Sequence, residues 1–341
     1  MALYNKINGK ELKTKLKTLE EKRTTLSFYC YHRIEDTKTF RDQLYLELDK
    51  LKVWGRIYLA YEGINAQLSV PSVQLENLRN YLYSFPFLNG IRLNIAIEDD
   101  GKSFFKLKIV IRKKIVADGL DDSSFDASNS GVHLNAMKFN ELTNNPEAIV
   151  VDMRNHYESE IGHFKNAIIP DVDTFREALP AVEKILEGKK DAPIIMYCTG
   201  GIRCEKASAW YKHIGFKNVF QLEGGIIEYA RQVKEQGLEN KFLGKNFVFD
   251  ERLGEKISDE VISHCHQCGK PCDTHTNCKN DACHLLFIQC DECEAKLNGC
   301  CTVECKEIVE LPVEKQKELR AGIDKGNQVF KKGRFVDLKI R

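Results

Sequence analysis

The sequence lacks a long hydrophobic run. No uninterrupted apolar stretch approaches the roughly 18 residues that a membrane-spanning helix needs, and the opening residues MALYNKINGK contain no apolar core of a secretory signal. We therefore expect neither secretion nor membrane insertion, and we assign the chain to the reducing cytoplasm. In that compartment, its 13 cysteines are expected to be metal ligands or catalytic thiols rather than disulfides.

Cofactor fingerprints are also missing. We find no glycine-rich flavin or nicotinamide motif and no clear iron site of two histidines and one carboxylate. The chain contains no tandem repeat and no low-complexity tract. We therefore expect neither a flavin nor a nicotinamide cofactor.

Charge is distributed unevenly along the 341 residues, a length that predicts two or three domains. The formal net charge is +1, but residues 1–116 contain 21 Lys and Arg against 13 Asp and Glu, a balance of +8. Residues 117–341 therefore carry −7. The first third is a candidate surface for binding a polyanion.

The pattern of residues 1–116 predicts a ferredoxin-like, or acylphosphatase-like, α+β domain. A Lys-rich lead precedes the strand LSFYCYHRI, and helical spacing of apolar residues follows over 36–53. The strands RIYLA and INAQLSV, a helix over 73–85, and the strands IRLNIAI and FFKLKIVIRKKIV complete the domain. The resulting order is βαββαβ with one additional strand.

Alternation in the last predicted strand separates a basic face from an apolar face. The basic face, which is our candidate RNA-binding stripe, consists of Lys106, Lys108, Arg112 and Lys114. The apolar face consists of Phe105, Leu107, Ile109 and Ile111. Aromatic side chains available for base stacking are Tyr29, Tyr31, Tyr58 and Tyr61. An ordinary solvated sheet face explains the alternation equally well.

Residues 117–131, rich in Ser, Asp and Gly, are predicted to link this domain to a second α/β domain over 132–241. In the second domain the strands AIVVDMR, PIIMY and KNVFQLEGGI alternate with helical segments, which predicts a parallel sheet. Ligands of such sheets bind beyond the carboxyl ends of the strands. Cys198 directly follows PIIMY and lies at such an end.

The stretch CTGGIRC, from Cys198 to Cys204, is the strongest candidate site. A tight glycine-bearing loop between strand and helix directs successive amides, together with the positive end of the helix dipole, at the Cys198 sulfur. Both effects lower the pKa of a thiol from its ordinary value near 8.5, so Cys198 is expected to be a thiolate at neutral pH. The alternative is a buried structural cysteine, which would leave Gly200, Gly201 and Arg203 unexplained.

The last region, 242–341, holds ten cysteines between Cys265 and Cys305. Two Cys-x2-Cys pairs supply four thiolates for one tetrahedral ion, for which we expect structural zinc: Cys265, Cys268, Cys290 and Cys293. Ligands for a second site can come from Cys272, His275, Cys278, Cys283, His284, Cys300, Cys301 and Cys305. Reduced cysteines or disulfides are the alternatives, while the spacing does not match common iron–sulfur clusters. The basic end, KGRFVDLKIR, is predicted to be a mobile tail.

Several of these motifs resemble known families. VDMR, GHFKNAI, the six-residue loop CTGGIR and LEGGI resemble the rhodanese domain, in which a loop of this length fits a sulfur carried on cysteine. Related phosphatases use a seven-residue loop. YEGINAQLSVP before this domain and CHQCGKPCDTHTNCKNDACHLLFIQC after it resemble the bacterial tRNA uridine 5-hydroxylases, which are rhodanese-related and modify the wobble uridine with molecular oxygen. This second resemblance covers nearly the whole chain.

The resemblance implies roles for individual residues. Cys198 matches the persulfide-forming active-site cysteine, and Arg203 is the cation of its cradle. The remaining cradle residues are Thr199, Gly200, Gly201 and Ile202. Asp152 and Arg154 match a structural brace beneath the loop, and a carboxylate that ends a buried strand independently needs such a partner.

Other residues near the loop remain open. Cys204 either resolves a Cys198 persulfide as a disulfide or packs as a small apolar group, and we favour packing or a supporting role. His156 and His163 have the pKa range of general bases, but His163 is expected to order the loop and we assign catalysis to neither.

The resemblance implies tRNA as partner, molecular oxygen as co-substrate, and a sulfur donor or reductant protein as a further partner. A first alternative is a sulfurtransferase that carries a Cys198 persulfide from thiosulfate or a protein donor to an acceptor. A second alternative is a zinc-dependent RNA-binding or scaffold protein without catalysis, in which Cys198 is inert to alkylation.

Overall fold

The computed structural model describes residue 12 and residues 20–121, 125–322 and 328–338. The Lys-rich lead predicted over residues 1–23 falls mostly outside this part of the chain. Within it, no helix is long and apolar enough to cross a membrane. All 13 cysteines lie within it, and none forms a disulfide.

The first domain is a five-stranded sheet with the order β4-β1-β3-β2-β5. Its strands are β1 (Arg23–Tyr31), β2 (Trp54–Ala60), β3 (Gly63–Pro71), β4 (Asn94–Ile95) and β5 (Leu107–Ile111). β5 runs parallel to β2, and the other neighbours are antiparallel. Helices α1 (Thr37–Lys50) and α2 (Leu75–Tyr83) pack their buried leucines on one face of this sheet. The predicted ferredoxin-like order with one additional strand is confirmed.

The additional strand is shorter than predicted. The sequence predicted a strand over 104–116, but β5 contains only five residues. Leu107, Ile109 and Ile111 pack on the core as expected. The chain then turns away, because the Lys114 ammonium donates to Asp118 Oδ1 at 2.6 Å and to the Leu120 carbonyl at 2.7 Å.

The predicted linker is fixed to both neighbouring domains. Its described residues form no helix or strand, but Asp118 is buried and accepts from Lys206, a residue of the second domain. The same Lys206 ammonium reaches Glu62 of the first domain at 2.8 Å. One buried ammonium therefore joins the first domain, the linker and the second domain.

The second domain contains a four-stranded parallel sheet with the order β6-β10-β9-β7. Its strands are β6 (Val132–Leu134), β7 (Ile149–Asp152), β8 (Gly162–Phe164), β9 (Ile194–Tyr197) and β10 (Val219–Leu222), of which β8 joins a separate small sheet. The helices are α3 (Ala136–Leu142), α4 (His156–Ser159), α5 (Phe175–Ile185), α6 (Ile202–His213) and α7 (Gly225–Gln236). Cys198 follows the fully buried β9, so the sheet holds it at a carboxyl end.

The last region combines small strands and short helices. β11 (Phe242–Asn246) is the central strand of the separate small sheet and pairs antiparallel with β8 on one side and with β12 (Glu255–Lys256) on the other. Then come β13 (His275–Asn277), β14 (Leu286–Ile288), α8 (Asp291–Leu297), α9 (Val303–Glu310) and α10 (Val313–Arg320). Strands β13 and β14 form an antiparallel pair beside the cysteine clusters.

The prediction of a mobile tail is wrong for its described residues. Lys332–Leu338 forms 3₁₀ turns, and Leu338 is only 3% exposed. The Phe335 ring stacks on His156, with ring centroids 5.8 Å apart, and contacts His266 at 4.3 Å. Basic composition indicated solvation, but the aromatic residue among the charges fixes this segment to the second domain.

Candidate active site

The loop after β9 curls around the Cys198 sulfur. The Gly201 amide donates to Sγ at 3.2 Å, and helix α6 begins directly after this glycine. Gly201 has φ of +100°, and a Cβ there would lie 2.7 Å from the Tyr29 hydroxyl. Both the backbone conformation and the close neighbour require glycine at this position.

The pKa of the Cys198 thiol is lowered to about 6. Burial raises the pKa, but the neighbouring Cys204 thiol, the Arg203 guanidinium and the backbone amides of Cys204 and Arg203 outweigh it. Burial and the Cys198 charge together hold the pKa of Cys204 well above its ordinary range. At neutral pH the pair is therefore a Cys198 thiolate beside a Cys204 thiol that acts as donor.

We expect alkylation of Cys198 by iodoacetamide to follow this pKa. The rate should rise between about pH 5 and 7 and then level off, because only the thiolate reacts, whereas an ordinary cysteine is half-ionised only near pH 8.5. Peptide mass spectrometry separates Cys198 from the other cysteines. Cys204→Ala should move the midpoint to higher pH, because it removes a donor to the thiolate. A midpoint near 8.5 in the unmodified chain would contradict the thiolate assignment.

Glu158 holds the Arg203 guanidinium in place. Its two carboxylate oxygens accept from Arg203 at 2.5 and 2.7 Å, and one of them accepts from the Thr199 hydroxyl at 3.2 Å. Glu158 is fully buried, and its carboxylate also accepts from the backbone amide of Asn155, the residue directly before α4. Sequence reasoning missed this residue, because its only signal was a charged residue in the stretch NHYESE.

Asp152 and Arg154 form a second buried ion pair. The Arg154 guanidinium donates to the two Asp152 oxygens at 2.9 and 2.6 Å and to the Gly162 carbonyl at 2.6 Å. Both side chains are inaccessible to solvent. The hydrogen bonds of this pair tie β7 to β8 rather than reaching the Cys198 sulfur, which is the arrangement expected of a brace.

A cavity of about 770 Å³ opens between the Cys198 loop and the first domain. The loop supplies Cys198, Thr199, Gly200, Ile202 and Arg203 to its lining. The opposite wall is the polar face of the first sheet, with Ser27, Tyr29, Arg56, Tyr58, Asn65 and Gln67. The thiolate therefore faces polar and aromatic side chains of another domain.

Two of the four tyrosines predicted for base stacking instead join the domains. The Tyr29 hydroxyl donates to Glu205 at 3.0 Å, and the Tyr31 hydroxyl donates to the Ile202 carbonyl at 3.2 Å. Tyr58 lines the cavity, whereas Tyr61 is 48% exposed and lies under Arg33. Alternation along a strand gave the correct face, but it could not show that another domain covers that face.

The four residues of the predicted basic stripe lie in different surroundings. Lys106 and Lys108 line a second cavity of about 570 Å³, and the Arg112 guanidinium lies 5.9 Å from the centre of the Tyr58 ring. Lys114 is paired with Asp118. The end of β5 at Ile111 separates these side chains, so they do not form one continuous stripe.

Neither histidine near the loop lines the cavity. His156 is buried under the last segment, where burial lowers its pKa and the Phe330 carbonyl lies 3.2 Å from Nε2. His163 Nδ1 lies 3.0 Å from the Phe164 carbonyl. That neither histidine acts as a catalytic base stays a prediction.

Eight cysteines form two groups of four, and within each group all four sulfurs lie within 4.8 Å of one another. The first group is Cys265, Cys268, Cys290 and Cys293, the four from the Cys-x2-Cys pairs. The second group is Cys278, Cys283, Cys301 and Cys305, which the sequence placed only among a larger set. Cys272, His275, His284 and Cys300 belong to neither group.

The sulfur geometry fits a tetrahedral thiolate site. The sulfur atoms of Cys268 and Cys290 lie 3.6 Å apart in the first group, and those of Cys283 and Cys301 lie 3.5 Å apart in the second. A tetrahedron with metal–sulfur bonds of about 2.3 Å has edges of about 3.8 Å. Both groups can therefore bind a metal ion.

The parallel sheet and the cysteine loop define a rhodanese-like domain. The family model described as "Rhodanese-like domain" matches residues 135–232. Models described as "UPF0176 acylphosphatase like domain" and "Rhodanase C-terminal" match residues 23–115 and 243–306. The particular family follows from relatives that align with nearly the whole chain.

Proteins named tRNA uridine(34) hydroxylase from Salmonella newport (strain SL254) and Salmonella schwarzengrund (strain CVM19633) are each 59% identical over 333 residues. A relative of the same name from Salmonella heidelberg (strain SL476) is 58% identical. Each alignment covers 97% of this chain and 95% of the relative. The chain belongs to the tRNA uridine(34) hydroxylase family.

Proposed function

We propose that the protein hydroxylates C5 of the wobble uridine in tRNA with molecular oxygen, and that the Cys198 thiolate takes part in the reaction. The main evidence for this proposal is that Cys198 lines a cavity whose opposite wall belongs to the basic first domain. The family supports the substrate and the reaction type. The geometry supports the role of the cysteine.

The cavity suits a single base that has left its stack. Asn65 and Gln67 offer amide donors and acceptors to the edge of a pyrimidine, and the Tyr58 ring offers a stacking surface. An enzyme acting on a base takes it out of the stack and reads its edge by hydrogen bonds. We propose that the wobble uridine occupies this cavity, with its ring between Tyr58 and the Cys198 loop.

Hydroxylation needs two electrons in addition to oxygen. One oxygen atom replaces C5–H by C5–OH, and reduction of the other atom to water consumes two electrons and two protons. When they form a disulfide, the Cys198 thiolate and the Cys204 thiol release two electrons and one proton, and water supplies the second proton. We propose this pair as the immediate reductant, with a thiol or sulfur donor protein restoring it. This redox role for Cys204 is the alternative to the packing or supporting role that the sequence favoured.

The deciding experiment is nucleoside mass spectrometry of tRNA from cells that lack the gene and carry a plasmid copy. The unmodified chain and a Cys30→Ser control should restore 5-hydroxyuridine, because Cys30 lies on β1 with its sulfur 3.3 Å from the Phe87 carbonyl. Cys198→Ser should leave it at background. Full restoration by Cys198→Ser would refute the role of the cysteine.

A sulfurtransferase is the second candidate, supported by the thiolate and its amide donor from Gly201. The Cys198 thiolate would take a sulfur atom from thiosulfate with release of sulfite, and the persulfide would pass that atom to an acceptor. Efficient turnover of thiosulfate and cyanide, with unchanged tRNA nucleosides after gene deletion, would favour this candidate.

We also propose that both cysteine groups bind structural zinc. Tetrahedral sets of four thiolates are typical of closed zinc sites, and this region has small hydrophobic clusters to which the cysteines themselves contribute. Zinc would stabilise the fold of the region.

A further inference from the structure

Arg56 and Lys108 are directly opposite each other on the parallel strands β2 and β5. Both side chains are exposed, and neither forms an ion pair with any described carboxylate. Like charges at opposed positions of a sheet destabilise it. A pair of this kind without a protein counter-ion is suited to an anionic ligand.

The pair stands at the end of a polar row that crosses the sheet. Strand register aligns Ser27 with Gln67, Gln67 with Arg56, and Arg56 with Lys108. The first three residues line the Cys198 cavity, and Arg56 and Lys108 line the second cavity of about 570 Å³. The row therefore leads from the proposed uridine site into the neighbouring cavity.

The second cavity adjoins the first and contains more cations. Arg56, Phe249 and Phe330 line both cavities. Lys106 from the first domain and Lys279 from the cysteine-rich region also line the second.

Two of the acidic residues that line the second cavity already have cationic partners. Asp250 pairs with Arg252 at 2.5 Å, and Asp281 pairs with Arg320 at 2.6 Å. Glu251 also lines the cavity. Asp250 and Asp281 therefore form their ion pairs with arginines other than Arg56.

We propose that the second cavity binds the RNA backbone next to the target uridine, with Arg56 and Lys108 contacting phosphates. The inference rests on the proposed function, because it takes the base in the Cys198 cavity to be part of an RNA strand. Phosphate contacts fix the register of a nucleic acid, while contacts to the base edge identify the base. Arg56 lines both the proposed base site and the proposed backbone site, so it lies where the two kinds of contact meet.

The test is tRNA binding by the purified full-length chain, measured by fluorescence anisotropy across potassium chloride concentrations from about 50 to 200 mM. The ligand is bulk tRNA from cells that lack the gene. Arg56→Gln and Lys108→Gln should each weaken binding on the order of tenfold at low salt. Each should also reduce the slope of log affinity against log salt by about 0.7 to 0.9, one phosphate contact.

Matched variants separate this site from general charge and from folding. Lys38→Gln removes an exposed cation on α1, which lies on the other face of the sheet, and should keep the salt slope. Arg56→Lys keeps the positive charge and should retain most of the salt slope. Arg56→Gln should melt no lower than the unmodified chain and should keep the pH profile of Cys198 alkylation, because it removes only an unfavourable charge pair.

The outcomes distinguish this inference from the proposed function. In one outcome, the unmodified chain restores 5-hydroxyuridine, but the double variant Arg56→Gln, Lys108→Gln binds tRNA with unchanged affinity and salt slope. That outcome refutes the phosphate site and leaves the proposed reaction standing. An affinity loss equal to that of Lys38→Gln also refutes it. If the double variant loses tRNA binding but the unmodified chain produces no 5-hydroxyuridine, the phosphate site stands and the proposed reaction fails.

Discussion

Replacing Glu158 with glutamine is expected to lower the free energy of unfolding by about 3–5 kcal/mol, the usual cost of leaving one member of a buried ion pair alone. Glu158 is completely buried, and the side chain of Arg203 is only 10% exposed, so water cannot replace the lost carboxylate. Urea unfolding measures the difference. Glu147→Gln, an exposed glutamate before β7, should change it by less than about 0.5 kcal/mol.

A double variant tests whether the unpaired charge causes this loss. Glu158→Leu alone leaves the Arg203 guanidinium buried without its partner, whereas Glu158→Leu with Arg203→Met buries no charge. The double variant should therefore be more stable than Glu158→Leu. It should also move the midpoint of Cys198 alkylation to higher pH, because the guanidinium that lowers the pKa is gone. Equal stability of the two variants would refute this account.

Removal of bound metal is expected to unfold the cysteine-rich region. Structural zinc sites of four cysteines contribute on the order of 10 kcal/mol of binding free energy, which is coupled to folding. Plasma mass spectrometry of the purified chain should find one zinc ion for each of the two cysteine groups. Treatment with a strong chelator should release both ions and expose the region after β11 to trypsin.

Adjacent cysteines provide the control. Cys301 belongs to the second group, while Cys300 is equally buried and belongs to neither. Cys301→Ala should lose one zinc ion, and Cys300→Ala should keep both. Identical metal content in these two variants, or a metal-free unmodified chain, would contradict the ligand assignment.

The part of the site formed by consecutive residues was predictable from the sequence. A buried strand, a glycine-bearing loop and a helix place Cys198 beside the amides that follow it, and this requires no knowledge of distant residues. In the structure α6 already begins at Ile202, so Arg203 lies on the helix itself. The alternation of strands and helices also predicted the parallel sheet correctly.

Contacts between distant segments were not predictable in this way. Glu158 is 45 positions from Arg203, and nothing in its local pattern distinguishes it from a solvated glutamate. Alternation along β1 placed Tyr29 and Tyr31 on the correct face of the strand. Only the packing of the two domains shows that their hydroxyls reach Glu205 and Ile202. Ten cysteines within about 40 residues allow many sets of four, so spacing alone did not define the second group.

The buried Lys206 ammonium restricts how this protein can be recombined with its relatives. A segment rich in Ser, Asp and Gly ordinarily tolerates insertions and domain exchange. Here Lys206 binds Glu62 and Asp118, so replacing either domain with one that lacks its half of the contact would bury an uncompensated charge. Crossovers that preserve all three residues are accordingly the ones expected to yield folded chimaeras.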